Sequence, residues 1–187
     1  PAVSTVRAGN VIGGGDFARD RIIPDCIRAA LGQKPVFVRN PLSVRPFQHV
    51  LDPLSVYLMI GAKQAQNPAL AGCYNVGPKD GDCISAGKRA ELFCRFGGEG
   101  QTWNGPEMAE GEKQPDLSPR EAGFLKLDCS KLASVFGWQP VWDIRTAVEK
   151  TVEWTKGIRD GQDAVSCTGR QIKAFLEDAE KGGNNHA

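Results

Sequence analysis

At 187 residues, with 41% hydrophobic and 24% charged positions, the sequence has the makeup of a soluble globular protein with one core, or one core and an appendage, which excludes intrinsic disorder as its ground state. Its 23 Lys and Arg against 22 Asp and Glu give a net charge of +1, too little field to hold a polyanion; nucleic acid is excluded on those grounds, and an anionic ligand has to be met by a few placed arginines. No apolar run approaches the roughly 20 residues that cross a bilayer, and six scattered cysteines without a C-x-x-C pair, beside only His49 and His186, point to reduced, buried thiols in a cytoplasmic protein rather than to zinc or disulfides.

Taken in order, Val3 to Ala8 alternates β-branched and small residues and predicts a strand, one that suits the middle of a larger sheet and so implies coding sequence upstream or a partner chain. A glycine-rich loop, Gly9 to Asp16, follows. From Arg21 to Gly32 the residues Ile22, Cys26, Ile27, Ala30 and Leu31 share one helical face, with Gly32 as the stop. Pro35 to Val38 predicts a short strand, and Arg39 to Pro46 a loop carrying two arginines, the kind of segment where binding groups sit. Asp52-Pro53 predicts an N-cap and first turn for a helix to Gln66, closed by Asn67-Pro68.

Further on, Cys73 to Val76 predicts a strand, Ser85 to Phe96 a helix closed by Gly97-Gly98, and Gln101 to Trp103 an edge strand. The charged, Pro/Gly-bearing stretch 104–119 is expected to be a mobile loop. Phe124 to Leu127 predicts a strand leading into a short helix that ends at Gly137. Asp143 is placed to cap a longer helix with Ile144, Ala147, Val148, Thr151, Val152 and Thr155 as its buried stripe, and Thr168-x-x-Gln171 matches a capping box for a last helix before a frayed tail at 182–187. No repeat is visible. Helices mixed with short strands predict an α/β (mixed α+β) chain of one lobe.

Arginines recur at the ends of these elements: Arg7, Arg21, Arg39, Arg45 and Arg120. A guanidinium is a planar fork of donors matched to phosphate oxygens, and two forks fix a diphosphate in one orientation, although any single arginine is more often a solvated charge. Asn10, directly after a strand, reads equally as a donor to a sugar hydroxyl or phosphate and as a turn former. Gly13-Gly14-Gly15 does not match G-x-G-x-x-G and is read as a connection rather than a dinucleotide cradle. Neither Tyr57 nor Tyr74 has a lysine four positions on, so both are assigned to packing, as is His49, expected to be half-buried; no catalytic residue and no metal ligand is assigned.

Several segments together resemble the extended short-chain dehydrogenase/reductase enzymes that act on nucleotide sugars. They are Val6-Arg-Ala-Gly-Asn-Val-Ile-Gly-Gly-Gly-Asp16, Arg19-Asp-Arg-Ile-Ile-Pro-Asp25, Val38-Arg-Asn-Pro41, Arg45-Pro-Phe-Gln-His-Val-Leu51 and Leu125-Lys-Leu-Asp-Cys-Ser-Lys131, and the pattern is most similar to the subgroup that dehydrates CDP-glucose. The resemblance implies the C-terminal, substrate-binding lobe of that fold, with residues 1–16 as a remnant of its Rossmann sheet and an NAD-binding half, carrying the glycine loop and the Tyr-x-x-x-Lys couple, outside this sequence. By that likeness Asn10 contacts the sugar or its phosphate, Arg21 and Ile22 flank the nucleotide, Val38 and Arg39 lie near the base, Arg45 with Arg120 holds the diphosphate, and Glu121 accepts a ribose hydroxyl. Phe17 and Phe47 stand where the subgroup commonly has tryptophan, and Arg120 where it has histidine, so base preference stays open. The expected partner is a nucleotide sugar, CDP-glucose or similar, with NAD the cofactor of the full-length family and not of this chain alone; a homo-oligomer or the missing half is expected to cover its exposed apolar surface. A non-catalytic binding module and a fragment of a related epimerase or reductase are the other readings.

Overall fold

Residues 2–98, 101–106 and 125–183 are described by the computed structural model. The first predicted strand is β1 (Thr5–Ala8), which pairs in parallel with β5 (Cys73–Val76), Thr5 opposite Cys73 and Ala8 opposite Val76. β2 (Asn10–Ile12) pairs in the same sense with β4 (Phe47–His49), and β3 (Val36–Phe37) with β6 (Trp103–Asn104). Parallel neighbours need a crossover, and a helix supplies each one. α1 (Ile22–Leu31) lies between β2 and β4, α2 (Leu51–Gln66) between β1 and β5, and α3 (Ala86–Gly97) between β3 and β6. α4 (Ser130–Phe136), α5 (Ile144–Arg159) and α6 (Ala164–Gly183) follow, completing the mixed α/β architecture that the patterning predicted.

Two cores hold these elements. The larger joins the buried faces of α1, α3 and α5 to the β2–β4 and β3–β6 pairs through Ile12, Ile27, Val36, Phe47, Phe93 and Val148. The smaller gathers Val56 and Ile60 of α2, Tyr74 and Val76 of β5, and Leu132 of α4. Burying an aliphatic or aromatic side chain of this size contributes about 1.5–3 kcal/mol before conformational entropy is set against it. The predicted stripe on α5 is buried at Ile144, Ala147, Val148, Thr151 and Val152, with Thr155 half-buried at its margin.

Helix ends follow the local chemistry in most places. Ser85 accepts from the Lys88 N–H at 3.3 Å and Asp143 from the Thr146 N–H at 2.7 Å, while α4 stops at Gly137, whose φ of 67° lies in the left-handed region. Two predicted caps are overturned. Val50 precedes α2 with helical backbone angles, so Asp52 sits inside the first turn, where its carboxylate accepts from the Val141 N–H at 2.8 Å. Thr168 lies within α6, because Asp163 starts that helix earlier by accepting from the Ser166 N–H at 2.8 Å.

Strand positions differ as well. The supposed glycine-rich loop contains β2, stabilised by β4 as a partner, so Asn10 is a strand residue. β6 falls at Trp103–Asn104, one residue beyond the predicted Gln101–Trp103. Residues 125–127 form no strand: the Leu125 N–H bonds to the Val44 carbonyl at 3.2 Å, but no continuous ladder follows. Phe124, most of the 104–119 stretch and the end of the 182–187 tail lie outside the described residues. All six cysteines are unpaired, yet only Cys26 and Cys167 are buried, so the expectation of six buried thiols fails at four positions.

Candidate functional site

One cleft of about 720 Å³ opens where β2, the first turn of α1, and the segment from β3 to β4 come together. That volume suits a small organic ligand. Asn10, Arg21, Ile22, Val38, Arg39 and Arg45 all line it, so the six predicted residues that fall in the described part of the chain share one cavity. Arg120 and Glu121 lie outside the described residues. Arg7 is exposed on β1 and does not line the cleft.

Each wall has a local cause. Asn10 opens β2, its backbone N–H donating to the Pro46 carbonyl at 2.8 Å, which leaves its exposed side chain free to face a ligand. Gly9 permits that approach, because a Cβ there would sit 2.7 Å from the Pro46 carbonyl oxygen. Arg21 precedes α1 in extended conformation, no side chain caps the helix, and Ile22 to Asp25 of its first turn line the cavity. Val38, only 5% exposed, belongs to the core and shapes the wall. The floor is Phe47 and Arg89.

Charge in the cleft is mixed. Arg21 Nη1 is 3.4 Å from Asp16 Oδ2 and Arg39 Nη2 is 3.3 Å from Asp20 Oδ1, both guanidinium groups being more than half exposed. Exposed pairs of this kind contribute 0–1 kcal/mol, little enough for a phosphate to replace the carboxylate. Asp16, Asp20 and Asp25 line the cavity beside four arginines, a balance that the sequence reading, centred on the arginines, did not include.

Arg89 was missed outright. It is 1% exposed, its Cζ lies 4.0 Å from the Phe47 ring centroid, and Nη1 donates to the Ile84 carbonyl at 2.5 Å and the Arg45 carbonyl at 3.4 Å. Burial first, then the neighbouring Arg45 charge, lowers its pKa to about 10. Its signal was present in the spacing: Ala86, Arg89, Ala90 and Phe93 fall on one helical face, which places an arginine among apolar neighbours.

Behind the cleft, β4 and α2 present a second set of buried polar groups. His49 is fully buried, not half-buried, with its ring edge-on to Trp142 at 4.8 Å; its Nδ1 accepts from the Leu51 N–H at 3.3 Å. Burial lowers its pKa to about 4, with Lys150 adding to the shift, and burial raises that of Asp52 to about 6 against the pull of the Val141 and Trp142 N–H groups. Tyr74 is buried and donates its hydroxyl to the Leu70 carbonyl at 2.6 Å, a packing role; Tyr57 is partly exposed on α2. Among the described residues no group of three or more metal-ligating side chains occurs, and no helix is long and apolar enough to cross a membrane.

No protein-family profile matches the chain. A CDP-glucose 4,6-dehydratase of Salmonella typhimurium is 37% identical over 175 residues, covering 93% of this chain and 46% of that protein. Among solved structures, the UDP-glucuronic acid 4-epimerase of Bacillus cereus, in complex with UDP-glucuronic acid and NAD, superposes with a TM-score of 0.64 at 17% identity, covering 84% of this chain and 46% of that one. The dTDP-glucose 4,6-dehydratase of Bacillus anthracis in complex with NAD gives 0.63 at 17%, covering 84% and 45%, and MoeE5 in complex with UDP-glucose and NAD gives 0.63 at 20%, covering 84% and 48%. The chain therefore spans about half the length of the curated relative it matches. In sequence it is similar to CDP-glucose 4,6-dehydratase, and its fold is similar to about half of each of these epimerase and dehydratase structures.

Proposed function

We propose that the cleft binds the nucleotide sugar of an NAD-dependent 4,6-dehydratase, with CDP-glucose as the ligand favoured by the sequence kinship. The observation that carries this reading is convergence: Asn10, Arg21, Ile22, Val38, Arg39 and Arg45, spread over four elements and loops, border a single cavity of about 720 Å³. Arg45 holds the diphosphate, helped by the uncapped start of α1; Asn10 directs its amide to the sugar or its phosphate; Arg21 and Ile22 flank the nucleotide; Val38 and Arg39 frame the base. Arg120 and Glu121 are retained in the proposal as a second diphosphate contact and a ribose acceptor.

The whole reaction oxidises C4 of the sugar, eliminates water across C5 and C6 and returns the hydride, for which NAD supplies the redox chemistry. The residues present do not fit NAD. A Cβ on Gly14 would lie 2.2 Å from Trp154, so the glycine loop is packed against α5 and leaves no cradle for a pyrophosphate, and the sequence holds neither G-x-x-G-x-x-G nor a Tyr-x-x-x-Lys couple. This chain's share is therefore recognition, and the cofactor belongs to another part of the enzyme. The two-stranded parallel β1–β5 sheet supports the same division. Parallel sheets are normally buried on both faces and larger than two strands, so β1 and β5 join strands supplied from outside the described residues, as expected of a Rossmann remnant. Exposed Leu54, Tyr57 and Leu58 on α2 fit a surface covered by that neighbour or by a second copy, and six unpaired thiols fit a cytoplasmic setting.

Calorimetric titration of the chain with CDP-glucose, dTDP-glucose, UDP-glucose, GDP-mannose and NAD tests the proposal. It predicts binding of a nucleotide sugar, CDP-glucose foremost, no binding of NAD, and no dehydratase turnover when both are supplied, because proximity between cofactor and sugar is lost. Binding of NAD without any nucleotide sugar would overturn it.

A further inference from the structure

The last helix, α6, has two apolar faces, and the body of the protein uses one of them. Cys167, Gln171 and Phe175 are buried against α5 and Trp142. The Trp142 indole N–H donates to Asp178 Oδ2 at 3.0 Å and the Trp154 indole N–H to Thr168 Oγ1 at 3.0 Å, fastening the same side of the helix. About a third of a turn away runs a second line, Val165, Gly169, Ile172, Leu176 and Ala179, in steps of four, three, four and three residues. That is the 3.5-residue repeat of a coiled-coil seam, kept over two heptads. Val165 is 79% exposed, Ile172 43% and Leu176 57%, and a Cβ on Gly169 would meet nothing within 4 Å. An apolar row this narrow matches one further helix. Because α5 already holds α6 in shape, a partner does not have to order it first.

The charges beside the row decide which helix fits. Arg170 and Lys173 lie in its N-terminal half, Glu177 and Glu180 in its C-terminal half, and all four are exposed; Asp178 and Lys181 pair with each other. Two copies of α6 running antiparallel lay the basic half of each along the acidic half of the other, whereas parallel copies set like charge beside like. The same antiparallel alignment brings Ile172 of each copy level with Leu176 of the other, and Gly169 level with Ala179, so the surface is complementary to itself about a two-fold axis. Within one helix the Lys173–Glu177 pair is long, 3.9 Å, and exposed, and contributes little on its own.

We infer that the outer face of α6 is a self-association surface, through which two copies of this chain pair antiparallel about the Ile172–Leu176 layer. The ligand-binding reading of the β2–α1 cleft does not enter this inference.

The test is sedimentation equilibrium of the chain and of Ile172→Glu, Leu176→Glu and Leu58→Glu, with circular dichroism of each. The unsubstituted chain is expected to be dimeric at concentrations on the order of 100 μM. Ile172→Glu and Leu176→Glu weaken association by roughly tenfold or more, since each puts a carboxylate into the apolar layer from both copies. Their helix content, and their Tm in dilute monomeric solution, stay at the level of the unsubstituted chain, because both side chains are exposed in the monomer. Leu58→Glu, on α2, leaves the dimer intact. Lys173→Glu and Glu177→Lys test the charge pattern without touching an apolar residue: each alone associates more weakly than the unsubstituted chain, and an equimolar mixture of the two recovers association, less so at high salt. A monomeric unsubstituted chain would overturn the inference, as would a dimer that survives both Ile172→Glu and Leu176→Glu or dissolves in Leu58→Glu, or a mixture no tighter than either charge variant alone. Each of these results leaves nucleotide-sugar binding at the cleft standing.

Discussion

Gln48, His49 and Asp52 bring three buried polar atoms, Oε1, Nε2 and Oδ2, to the junction of β4 and α2 with no hydrogen-bond partner among the described residues. Asp52 has structural work there, since its other oxygen ties α2 to the segment before α5 through the Val141 N–H. The two ionisable members act on stability in opposite directions. His49, lowered from 6.5 to about 4, stays neutral in the fold while the unfolded chain takes up a proton, so its contribution is present above pH 6.5 and is lost as pH falls toward 4. Asp52, raised from 3.8 to about 6, stays protonated in the fold while the unfolded chain ionises, so its contribution is present below pH 3.8 and is lost as pH rises through 6. Each is on the order of 3 kcal/mol and they offset one another between pH 4 and 6. Denaturant unfolding across that range is therefore expected to be steep only in the single variants: stability of Asp52→Asn rises with pH, and that of His49→Phe falls. Parallel slopes in the two variants would contradict the assignment. Neither residue was legible in this role. Asp52-Pro53 has the local look of a helix cap, and what redirects the carboxylate is a backbone N–H 89 positions away in sequence.

At the scale of elements, the loop between β2 and α1 is positioned by contact rather than by its own flexibility. Gly14 lies against Trp154 of α5, whose indole N–H donates to Thr168 Oγ1 at 3.0 Å and so ties α5 to α6. Gly14→Ala forces a methyl group to within 2.2 Å of the ring, an overpacking expected to cost about 1–3 kcal/mol and to displace Asp16 and Arg21 at the edge of the cleft. Gly169→Ala is the control: no atom lies within 4 Å of the added methyl and the position is in a helix, so stability is expected to rise by about 0.5–1 kcal/mol. Thermal unfolding distinguishes them, and an unchanged Tm for Gly14→Ala would refute the contact. The apolar stripes of α1 and α5, Gly32 and Gly137 as stops, and Asp143 as a cap could all be read from neighbouring residues, because each depends on spacing within one turn or one helix. β2 could not, since three residues become a strand only when β4 arrives beside them, and Thr168 lost its apparent capping role to Asp163 five positions earlier.

For the whole molecule, the cleft residues were legible as types and places: arginines and an asparagine at element ends, grouped by a resemblance in sequence. Their convergence was not, because it depends on how α1 and the β3–β4 segment fold over β2, and neither the acidic partners of Arg21 and Arg39 nor the buried Arg89 belonged to the pattern. A second cavity, of about 570 Å³ and lined by Leu31, Lys34, Phe93, Gln101, Lys156 and Arg159, offers a rival location for an anionic ligand. Backbone amide chemical-shift mapping during titration with CDP-glucose separates the two. Saturable shifts centred on Asn10, Ile22, Val38, Arg39 and Arg45 are predicted; shifts centred on Lys34, Gln101 and Lys156, with those five amides unmoved, would contradict the assignment of the ligand to the β2–α1 cleft.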